Sequence, residues 1–579
     1  MINMKVNGIE ITAPAGSTIL EAVSRAEVVM PYAEINVPTL YYLKDVQETD
    51  VSGVCVVEVV GKEGLIPAWE YKVEEGMEVL TETETVIAAR KNVLKNILAI
   101  HDHDCVNCSR TDNCELQKLL YRYDIEDEGE RKYKVYPVDE RSIIVRDSNK
   151  CIRCHRCATM CESIQGIGAI AAEGIGLDSI IAPVCNEGLA ATKCVNCGQC
   201  ISVCPVGALY EKNHIEEVFE ALADPKKHVI AQTAPSVRAA LGEEFGFPLG
   251  VDVEGRLAAA LRQLGFDKVF DTQFGADLTI MEEANEFLQR VEHGGTLPLM
   301  TSCCPGWVKF CEHEFPDLLG HLSSCKSPHQ MLGAVSKSYY AEKIGIPKED
   351  IVVVSVMPCT AKKFEIHRES EAGAGVADVD ISITTRELAT MLKKARIQFE
   401  AMPMEMFDEP LGKSTGAAVI FGATGGVMEA ALRTAVEKMS DSELEELEFS
   451  AVRGIEGIKE ATVIVSEKEI KVAVVSGLAN ARLLLEKIRS GEAHYDFIEV
   501  MACPGGCVNG GGQPIQMAPV RATNDLRQIR AEALYENDEN CRIRKSHENP
   551  AIIELYTYLG EPGSEVAHQL LHTKYVSRA

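Results

Sequence analysis

The sequence predicts a multidomain protein of the α/β class. From about residue 228, helical stretches such as ADLTIMEEANEFLQRVEH and TRELATMLKKA alternate with the short apolar runs HVIAQTA, VVVSVMP, AAVIFGA and VAVVSG. Strand–helix alternation of this kind is typical of α/β architecture. Residues 1–80 differ, because short strand signals surround an Asn7-Gly8 pair, which is a strong hairpin signal. A small β-grasp-like module is therefore expected ahead of the α/β part.

The length of 579 residues corresponds to about three to five domains. The expected domains are the β-grasp module (1–80), a segment in which a helix leads into a His/Cys cluster (81–125), a compact Cys-rich unit (141–212) and a large α/β domain (225–579). One more helix, AIIELYTYLG, is expected near the end of the chain.

Composition limits the classes of function. The formal net charge of -29 argues against a general nucleic-acid surface, which needs a basic face. The first residues lack the pattern of a secretory signal, and no apolar run reaches the roughly 18 residues of a membrane span. We therefore expect a cytoplasmic protein without nucleic-acid or membrane partners. In that reducing compartment, the clustered members of the 21 cysteines indicate metal sites rather than disulfides.

The Cys-rich unit contains the only internal repeat. The two runs are Cys151, Cys154, Cys157, Cys161 and Cys194, Cys197, Cys200, Cys204. Each has the C-x2-C-x2-C-x3-C spacing of bacterial ferredoxins, in which the fourth thiolate ligates the cluster of the other run. Two [4Fe-4S] clusters are predicted, held by Cys151, Cys154, Cys157, Cys204 and by Cys194, Cys197, Cys200, Cys161. A zinc site does not explain the doubled, crossed spacing. Glu162 stands where such a run usually carries a proline, but that proline is not a ligand, so the prediction of cluster binding is unaffected.

A mixed set of one histidine and three cysteines precedes the repeat. Its members are His101, Cys105, Cys108 and Cys114. Such sets also bind zinc, but the neighbouring ferredoxin-type runs favour a third [4Fe-4S] cluster with one imidazole ligand. A neutral nitrogen in place of a thiolate should raise the reduction potential of that cluster. His103 is the less favoured alternative ligand.

Three distant segments place cysteines among glycine and proline. TSCCPGW contains Cys303 and Cys304, VMPCTAKKFE contains Cys359, and EVMACPGGCVNGGG contains Cys503 and Cys507. Glycine lets the backbone approach a large inorganic group closely. The alternative, buried structural cysteines, is common for single residues but explains three such loops poorly.

These three segments resemble the active-site signatures of [FeFe]-hydrogenases. FGATGGVMEAALR (421–433) and RKSHENP also look like that family. The resemblance covers nearly the whole chain and includes the order of modules. It implies that residues 225–579 form a hydrogenase catalytic domain, preceded by a ferredoxin-like 2[4Fe-4S] domain and a β-grasp module.

The resemblance also implies a cofactor. Cys304, Cys359, Cys503 and Cys507 would hold a [4Fe-4S] cubane, with Cys507 bridging to a di-iron subsite that carries CO, cyanide and an azadithiolate. This assembly, the H-cluster, requires dedicated maturation proteins.

Further residues would surround the di-iron subsite. Lys362 would donate a hydrogen bond to one cyanide as an ammonium group, and Pro235 and Ser236 would lie beside the other. Met357 and Met501 would supply apolar bulk. A surface lysine and ordinary core methionines are the alternative interpretations.

A proton path is the last feature that the resemblance implies. Glu283, Glu286 and Arg290 share one helix face through their i, i+3, i+7 spacing. The pattern alone favours a solvated face. By similarity to the family, protons would instead move from Cys303 through Glu283, Ser323 and Glu286 to solvent near Arg290, and a buried carboxyl suits that role because burial raises its pKa.

The chain departs from the family pattern in two places. His329 in KSPHQM replaces an expected glutamine. In the N-terminal module, where relatives carry four cysteines for a [2Fe-2S] cluster, Tyr41, Ser52 and Trp69 leave Cys55 as the single thiol. One thiolate cannot hold that cluster, so we expect the module to keep its fold without it, with Trp69 filling space.

The predicted function is the reversible reduction of protons to H2, with electrons relayed by three accessory [4Fe-4S] clusters. The expected electron partner is ferredoxin or a similar carrier, or else flavin- and NAD-binding subunits, since the chain shows no Rossmann or flavin motif. A regulatory protein that senses H2 with low turnover is the alternative, which Cys303 argues against as a proton donor. An iron–sulfur scaffold is a third class, which the cluster relay and the Glu283/Glu286 helix argue against.

Overall fold

The computed structural model describes residues 1–30, 35–126, 135–174, 179–183, 186–440, 442, 444, 447–465 and 468–578. Among these residues, no helix is both long and apolar enough to cross a membrane. The architecture is mixed α/β, as the strand–helix alternation predicts.

The N-terminal module is a five-stranded sheet with one helix. Asn7 and Gly8 both have positive φ (49° and 80°), as a two-residue hairpin turn requires. Thr18 and Glu21 form a reciprocal capping box that begins the helix, which the strand signals alone did not predict. The elements are β1 (Ile2–Val6), β2 (Ile9–Ala13), α1 (Ile19–Val29), β3 (Val56–Val59), β4 (Ile66–Pro67) and β5 (Glu78–Leu80). The sheet order is β2-β1-β5-β3-β4.

The Cys-rich part consists of short elements. Its elements are α2 (Glu84–Leu98), α3 (Glu115–Arg122), β6 (Ile144–Arg146), α4 (Arg156–Thr159), β7 (Ala171–Glu173), β8 (Ile180–Ala182), α5 (Gln199–Val203) and β9 (Leu209–Glu211). β6 pairs with β9 and β7 pairs with β8, both antiparallel. His155 and Gly198, both in left-handed conformation, begin α4 and α5.

The large part contains two four-stranded sheets with helices around them. Its first half comprises α6 (Ile215–Ala223), β10 (His228–Thr233), α7 (Pro235–Arg238), α8 (Glu254–Leu264), β11 (Lys268–Asp271), α9 (Thr272–His293), β12 (Leu299–Met300), α10 (Pro305–Glu314), α11 (Pro328–Val335), α12 (Ala341–Ile344), β13 (Ile351–Met357), α13 (Lys362–Glu365), β14 (Ile381–Thr384) and α14 (Thr385–Lys394). Its second half comprises α15 (Gly416–Val419), α16 (Gly426–Ser440), β15 (Ile458–Val465), β16 (Lys468–Ser476), α17 (Leu478–Ser490), β17 (Phe497–Met501), α18 (Ala518–Thr523), α19 (Leu526–Asn540), α20 (Pro550–Leu559) and α21 (Glu565–Leu571).

The sheet orders are β11-β10-β13-β14 and β12-β17-β16-β15. The first sheet is parallel throughout. In the second, β12, β17 and β16 are parallel and only β15 is antiparallel. In open sheets of parallel strands, ligands bind at the carboxyl ends of the strands. A ligand site is therefore expected at the loops that follow β10, β12, β13 and β17.

The strand prediction for AAVIFGA is wrong. Gly416–Val419 is a helix, and Ile420–Gly422 continues it as a 3-10 turn. The segment packs among α9, α16 and α19 and is buried throughout. A short, fully apolar run does not distinguish a buried strand from a buried helix, and here the surrounding helices leave no strand edge to pair with.

Candidate active site

The three cysteine-bearing loops meet at the carboxyl ends of the two sheets. Cys303 and Cys304 follow β12, and Cys304 is the N-cap residue of α10. Cys359 follows β13, and Cys503 and Cys507 follow β17. All five thiols line one pocket with a cavity volume of about 80 Å³. Residues about 200 positions apart in the sequence thus form a single site.

The remaining wall of this pocket contains the other predicted residues. Pro235 and Ser236 come from the start of α7, Met357 and Met501 end β13 and β17, and Lys362 begins α13. Both methionines and Pro235 supply apolar surface. The structure therefore brings together every residue that was predicted to surround the di-iron subsite, whereas their individual roles stay predictions.

The polar atoms in the pocket fit the group that the family resemblance implies. Ser236 Oγ and His329 Nδ1 are buried and have no hydrogen-bond partner among the described residues. Buried polar atoms are rarely left unpaired. Five thiols, one ammonium and two such atoms on an apolar wall suit an iron–sulfur assembly with small polar ligands. The residues that would hold it are Cys304, Cys359, Cys503 and Cys507.

Lys362 is held in the pocket by Glu365, a residue that the sequence interpretation missed. Lys362 Nζ donates to Glu365 Oε2 (2.8 Å) and to the carbonyl oxygen of Cys303 (3.1 Å). Burial opposes the ammonium charge, but Glu365, together with Cys359 and Cys303, outweighs burial and raises the pKa of Lys362. Ser327 and His329 also hydrogen-bond Glu365. The i, i+3 spacing of Lys362 and Glu365 was the available signal.

His329, the departure from the family pattern, is buried beside this ion pair. Burial first, and then Lys362, lowers its pKa to about 4, so the ring is neutral near pH 7. Its Nε2 contacts the Glu365 carboxylate and its other ring nitrogen is the unpartnered atom described above. A neutral imidazole thus occupies the place where glutamine was expected and still contacts Glu365.

The predicted proton-path residues form a connected series. Glu283 interacts with Ser323, whose hydroxyl donates to Glu286 Oε2 (2.9 Å). Arg290 Nη2 donates to Glu286 Oε1 (2.6 Å). Glu283 is fully buried, whereas Glu286 and Arg290 lie partly exposed. The solvated-face alternative therefore fails for Glu283.

Burial raises the pKa values of the two titratable groups nearest the pocket. Desolvation, followed by the charge of Glu286, raises the pKa of Glu283 to about 8. Desolvation and the charge of Glu283 raise the pKa of Cys303 well above its ordinary value. Both groups are therefore able to hold a proton near pH 7, next to the pocket.

Comparison with known proteins decides the family. Residues 227–511 match the family model described as iron only hydrogenase large subunit, C-terminal domain, and residues 524–578 match iron hydrogenase small subunit. The chain is 49% identical over its whole length to NADP-reducing hydrogenase subunit HndD of Solidesulfovibrio fructosivorans, covering 99% of that protein. This chain belongs to the iron-only, or [FeFe]-, hydrogenase family.

Two further comparisons agree. The hydrogenase is 43% identical to iron hydrogenase 1 of Clostridium pasteurianum over 98% of this chain and 99% of that one. A solved structure, that of a variant of the apo [FeFe]-hydrogenase HydA1 from Chlamydomonas reinhardtii, matches with a TM-score of 0.57 and 45% identity, covering 63% of this chain and 99% of that chain. Upstream, residues 1–84 match a 2Fe-2S iron-sulfur cluster binding domain, 90–128 an NADH-ubiquinone oxidoreductase-G iron-sulfur binding region and 191–210 a 4Fe-4S binding domain.

The ferredoxin-type cysteines of the hydrogenase lie in two neighbouring groups, and which cluster each one ligates stays a prediction. Cys151, Cys154, Cys157 and Cys204 line one small cavity with mostly apolar walls. Cys161 and Cys194 belong to a second group, in which both lie close enough to Cys197 and Cys200 for the charges of their thiolates to interact. The structure thus brings each predicted set together.

The second group touches the active site. Cys197 lies within electrostatic range of Cys359 and Cys503. Thr360 Oγ1 donates to the carbonyl oxygen of Asn196 (2.6 Å). A Cβ at Gly511 would lie 2.2 Å from the carbonyl oxygen of Cys197, so only glycine permits this approach. The groups of thiols are therefore arranged in series toward the active-site pocket.

The His/Cys segment lies beside the first ferredoxin-type group. Cys108 lies within electrostatic range of both Cys105 and Cys114, and Cys114 is the N-cap residue of α3. His101 is 5% exposed, and its Nδ1 lies 2.9 Å from the carbonyl oxygen of Lys150, which leaves Nε2 for a metal. An arginine side chain of this segment donates to the carbonyl oxygen of Cys204, and a backbone N–H of the segment donates to the carbonyl oxygen of Pro205.

In the N-terminal module, the residues that replace the expected cysteines make contacts with other parts of the protein. Tyr41 donates to the carbonyl oxygen of Ile152, next to the first ferredoxin-type group. Ser52 hydrogen-bonds Asp50, and Trp69 packs against the core of the module. Cys55 is buried in that core, where desolvation raises the pKa of its thiol. These contacts indicate that the N-terminal module folds around a packed core.

Proposed function

We propose that this hydrogenase reduces protons to H2 reversibly at the pocket of Cys303, Cys304, Cys359, Cys503 and Cys507. The observation that carries the proposal is the convergence of five thiols and the Lys362 ammonium in one pocket, with the buried carboxyl group of Glu283 near Cys303. The bound H-cluster would supply the redox chemistry that joins two protons and two electrons. Dedicated maturation proteins would insert its di-iron part.

The residues of the chain would handle the protons and hold the cofactor in place. Lys362, fixed by Glu365, would donate a hydrogen bond to a cyanide ligand, and Ser236 would face the other one. Cys303 would give and take protons beside the pocket, and Glu283 would exchange them with Ser323 and Glu286. Met357 and Met501 would keep water away from this wall.

The direct test is H2 evolution by the matured protein with a reduced viologen. We expect sustained turnover, on the order of the 1–10³ s⁻¹ that is typical of enzymes. A regulatory H2 sensor would bind the cofactor but turn over far more slowly, and a scaffold would lack the infrared bands of CO and cyanide. Either result would contradict the proposal.

We also propose three accessory [4Fe-4S] clusters and none in the N-terminal module. Residues 1–84 match a 2Fe-2S domain family, but Cys55 is the single cysteine in that range and lies in the module core. Four thiolates are the usual ligands of a [2Fe-2S] cluster. Tyr41, Ser52 and Trp69 occupy the other positions.

We expect the reduced full-length protein to show no rhombic [2Fe-2S] signal in electron paramagnetic resonance. Chemical analysis should give about 18 iron atoms per chain rather than about 20. Cys55→Ala serves as the matched control, because a buried core thiol can be replaced without any change in the spectra. A [2Fe-2S] signal that disappears in Cys55→Ala would refute the proposal.

Electrons would enter away from the N-terminal module. Val106, between Cys105 and Cys108, is 89% exposed, which makes the His/Cys set the accessible end of the series. The likeness to an NADP-reducing subunit favours flavin- and NAD-binding partner subunits over ferredoxin. Since the chain has no nucleotide-binding motif, nicotinamide chemistry would then occur on a partner.

A further inference from the structure

Arg290, at the solvent end of the carboxyl series, holds Glu286 in place. Its guanidinium binds Glu286 (2.6 Å). Its other N–H groups donate to the backbone carbonyls of Thr296, Gly320, His321 and Leu322. A guanidinium stays protonated in proteins and offers no acceptor. Arg290 therefore fixes the position of Glu286 but cannot pass a proton on near pH 7.

An imidazole lies on another side of the same carboxylate. His572 follows α21, and one of its ring nitrogens, a Glu286 carboxylate oxygen and Cys325 Sγ all lie within 4.8 Å of one another. A single hydrogen-bonded water spans such a gap. Ser324 joins the two groups, because its backbone N–H donates to Glu286 Oε2 (3.0 Å) and its hydroxyl lies 2.8 Å from His572 Nδ1.

A buried carboxylate holds the far side of this ring. His572 Nε2 lies 3.1 Å from Glu282 Oε2, and the Glu282 side chain is fully buried. Tyr556 and the backbone N–H of Gly563 also donate to Glu282. A carboxylate behind an imidazole orients the ring and stabilises its protonated form. No sequence motif had indicated this Glu282–His572 pair.

The pair also reaches the surface. The ring of His568, an exposed residue, stacks on that of His572 with centroids 4.7 Å apart and planes 6° apart. A second imidazole thus lies between His572 and bulk water.

We propose that His572, oriented by Glu282, is the group that exchanges protons with Glu286 at the solvent end of the path. During H2 formation, an imidazolium N–H bond breaks and a carboxyl O–H bond forms at Glu286, and the neutral ring then takes a proton from buffer. During H2 oxidation, the same proton moves in the opposite direction. The titratable or charged groups around His572 are Glu282, Glu286, Arg290, Cys325, Tyr556 and His568. The proposal rests on the proposed function of the pocket.

The test is the rate of viologen-driven H2 evolution by matured His572→Ala across about pH 5 to 9. We expect a loss of about tenfold, smaller than the 10²–10⁴-fold typical of an acid in contact with substrate, because Glu286 keeps some exposure of its own. Imidazole added to the buffer should restore much of the rate, which a purely structural role would not allow. His293→Gln, at the exposed end of the same helix as Glu282 and Glu286, is the control and should keep the wild-type rate.

Glu282→Gln provides a second variant that keeps the size of the side chain. Loss of the carboxylate charge destabilises the imidazolium, so the pH at which the rate falls should move to lower pH. The proposal is overturned if His572→Ala keeps the wild-type rate or is not rescued by imidazole. If His572→Ala does not fold, an unshifted profile in Glu282→Gln overturns it. Wild-type turnover and unchanged CO and cyanide infrared bands in the variants would show that the pocket function survives such a failure.

Discussion

Cys303→Ala is expected to lose almost all proton reduction while it keeps its cofactor. The Cys303 thiol lines the pocket beside Cys304 and lies within electrostatic range of Glu283, the first buried carboxyl of the path. Because burial holds this thiol in its protonated form, it can donate a proton and take one back. Alanine offers no proton and no hydrogen bond, so the path would be cut at the step nearest the reaction.

The expected loss is at least about 10³-fold, within the 10²–10⁴-fold range of general acid–base groups. It should be measured as viologen-driven H2 evolution, with infrared spectra of CO and cyanide to verify that the cofactor is bound. Cys541→Ala, a partly exposed cysteine outside the pocket, is the matched control and should remain active. Loss of the infrared bands in Cys303→Ala would instead mean that Cys303 is needed to hold the cofactor, contrary to this assignment.

Glu283→Gln is expected to have an activity loss of similar size. The amide keeps the volume of the side chain, but it cannot release a proton. Transfer from Cys303 to Ser323 and Glu286 would then stop. Glu292→Gln, the same change at an exposed position near the end of the same helix, is the matched comparison and should keep the wild-type rate.

Glu283→Gln should also change how the free energy of unfolding depends on pH. The pKa of Glu283 is raised from 4.5 to about 8 in the folded chain. Between these values the folded state binds more protons than the unfolded state, so the free energy of unfolding of the wild type falls as pH rises. Glutamine removes this dependence.

Anaerobic thermal unfolding of both proteins would test this stability effect. The melting temperature of Glu283→Gln, relative to wild type, should increase steadily from about pH 5 to about pH 8, by a few degrees in total. A difference that is constant with pH would show that Glu283 is ionised in the folded protein. The proton path would then need a different neutral carrier.

The sequence by itself determined the chemistry of this protein. The spacing within each ferredoxin-type run is set by how far neighbouring thiolates can reach, and this depends on local backbone alone. The grouping of Cys151, Cys154 and Cys157 was therefore predictable from spacing, whereas Cys204, from the other run, was expected because both runs match the bacterial ferredoxin pattern. The structure places these four thiols around one cavity. The signatures around Cys303, Cys359 and Cys503 likewise needed no tertiary information to indicate the family.

Only the tertiary structure decided which distant groups act on one another. Glu365 holds Lys362, and Glu282 and His572, separated by 290 residues, form a buried pair next to Glu286. AAVIFGA became helix because of the helices packed around it. These outcomes depend on which surfaces meet when the sheets and helices pack. The local patterns of hydrophobicity and spacing carry no record of that choice, since the partners of each side chain come from other parts of the chain.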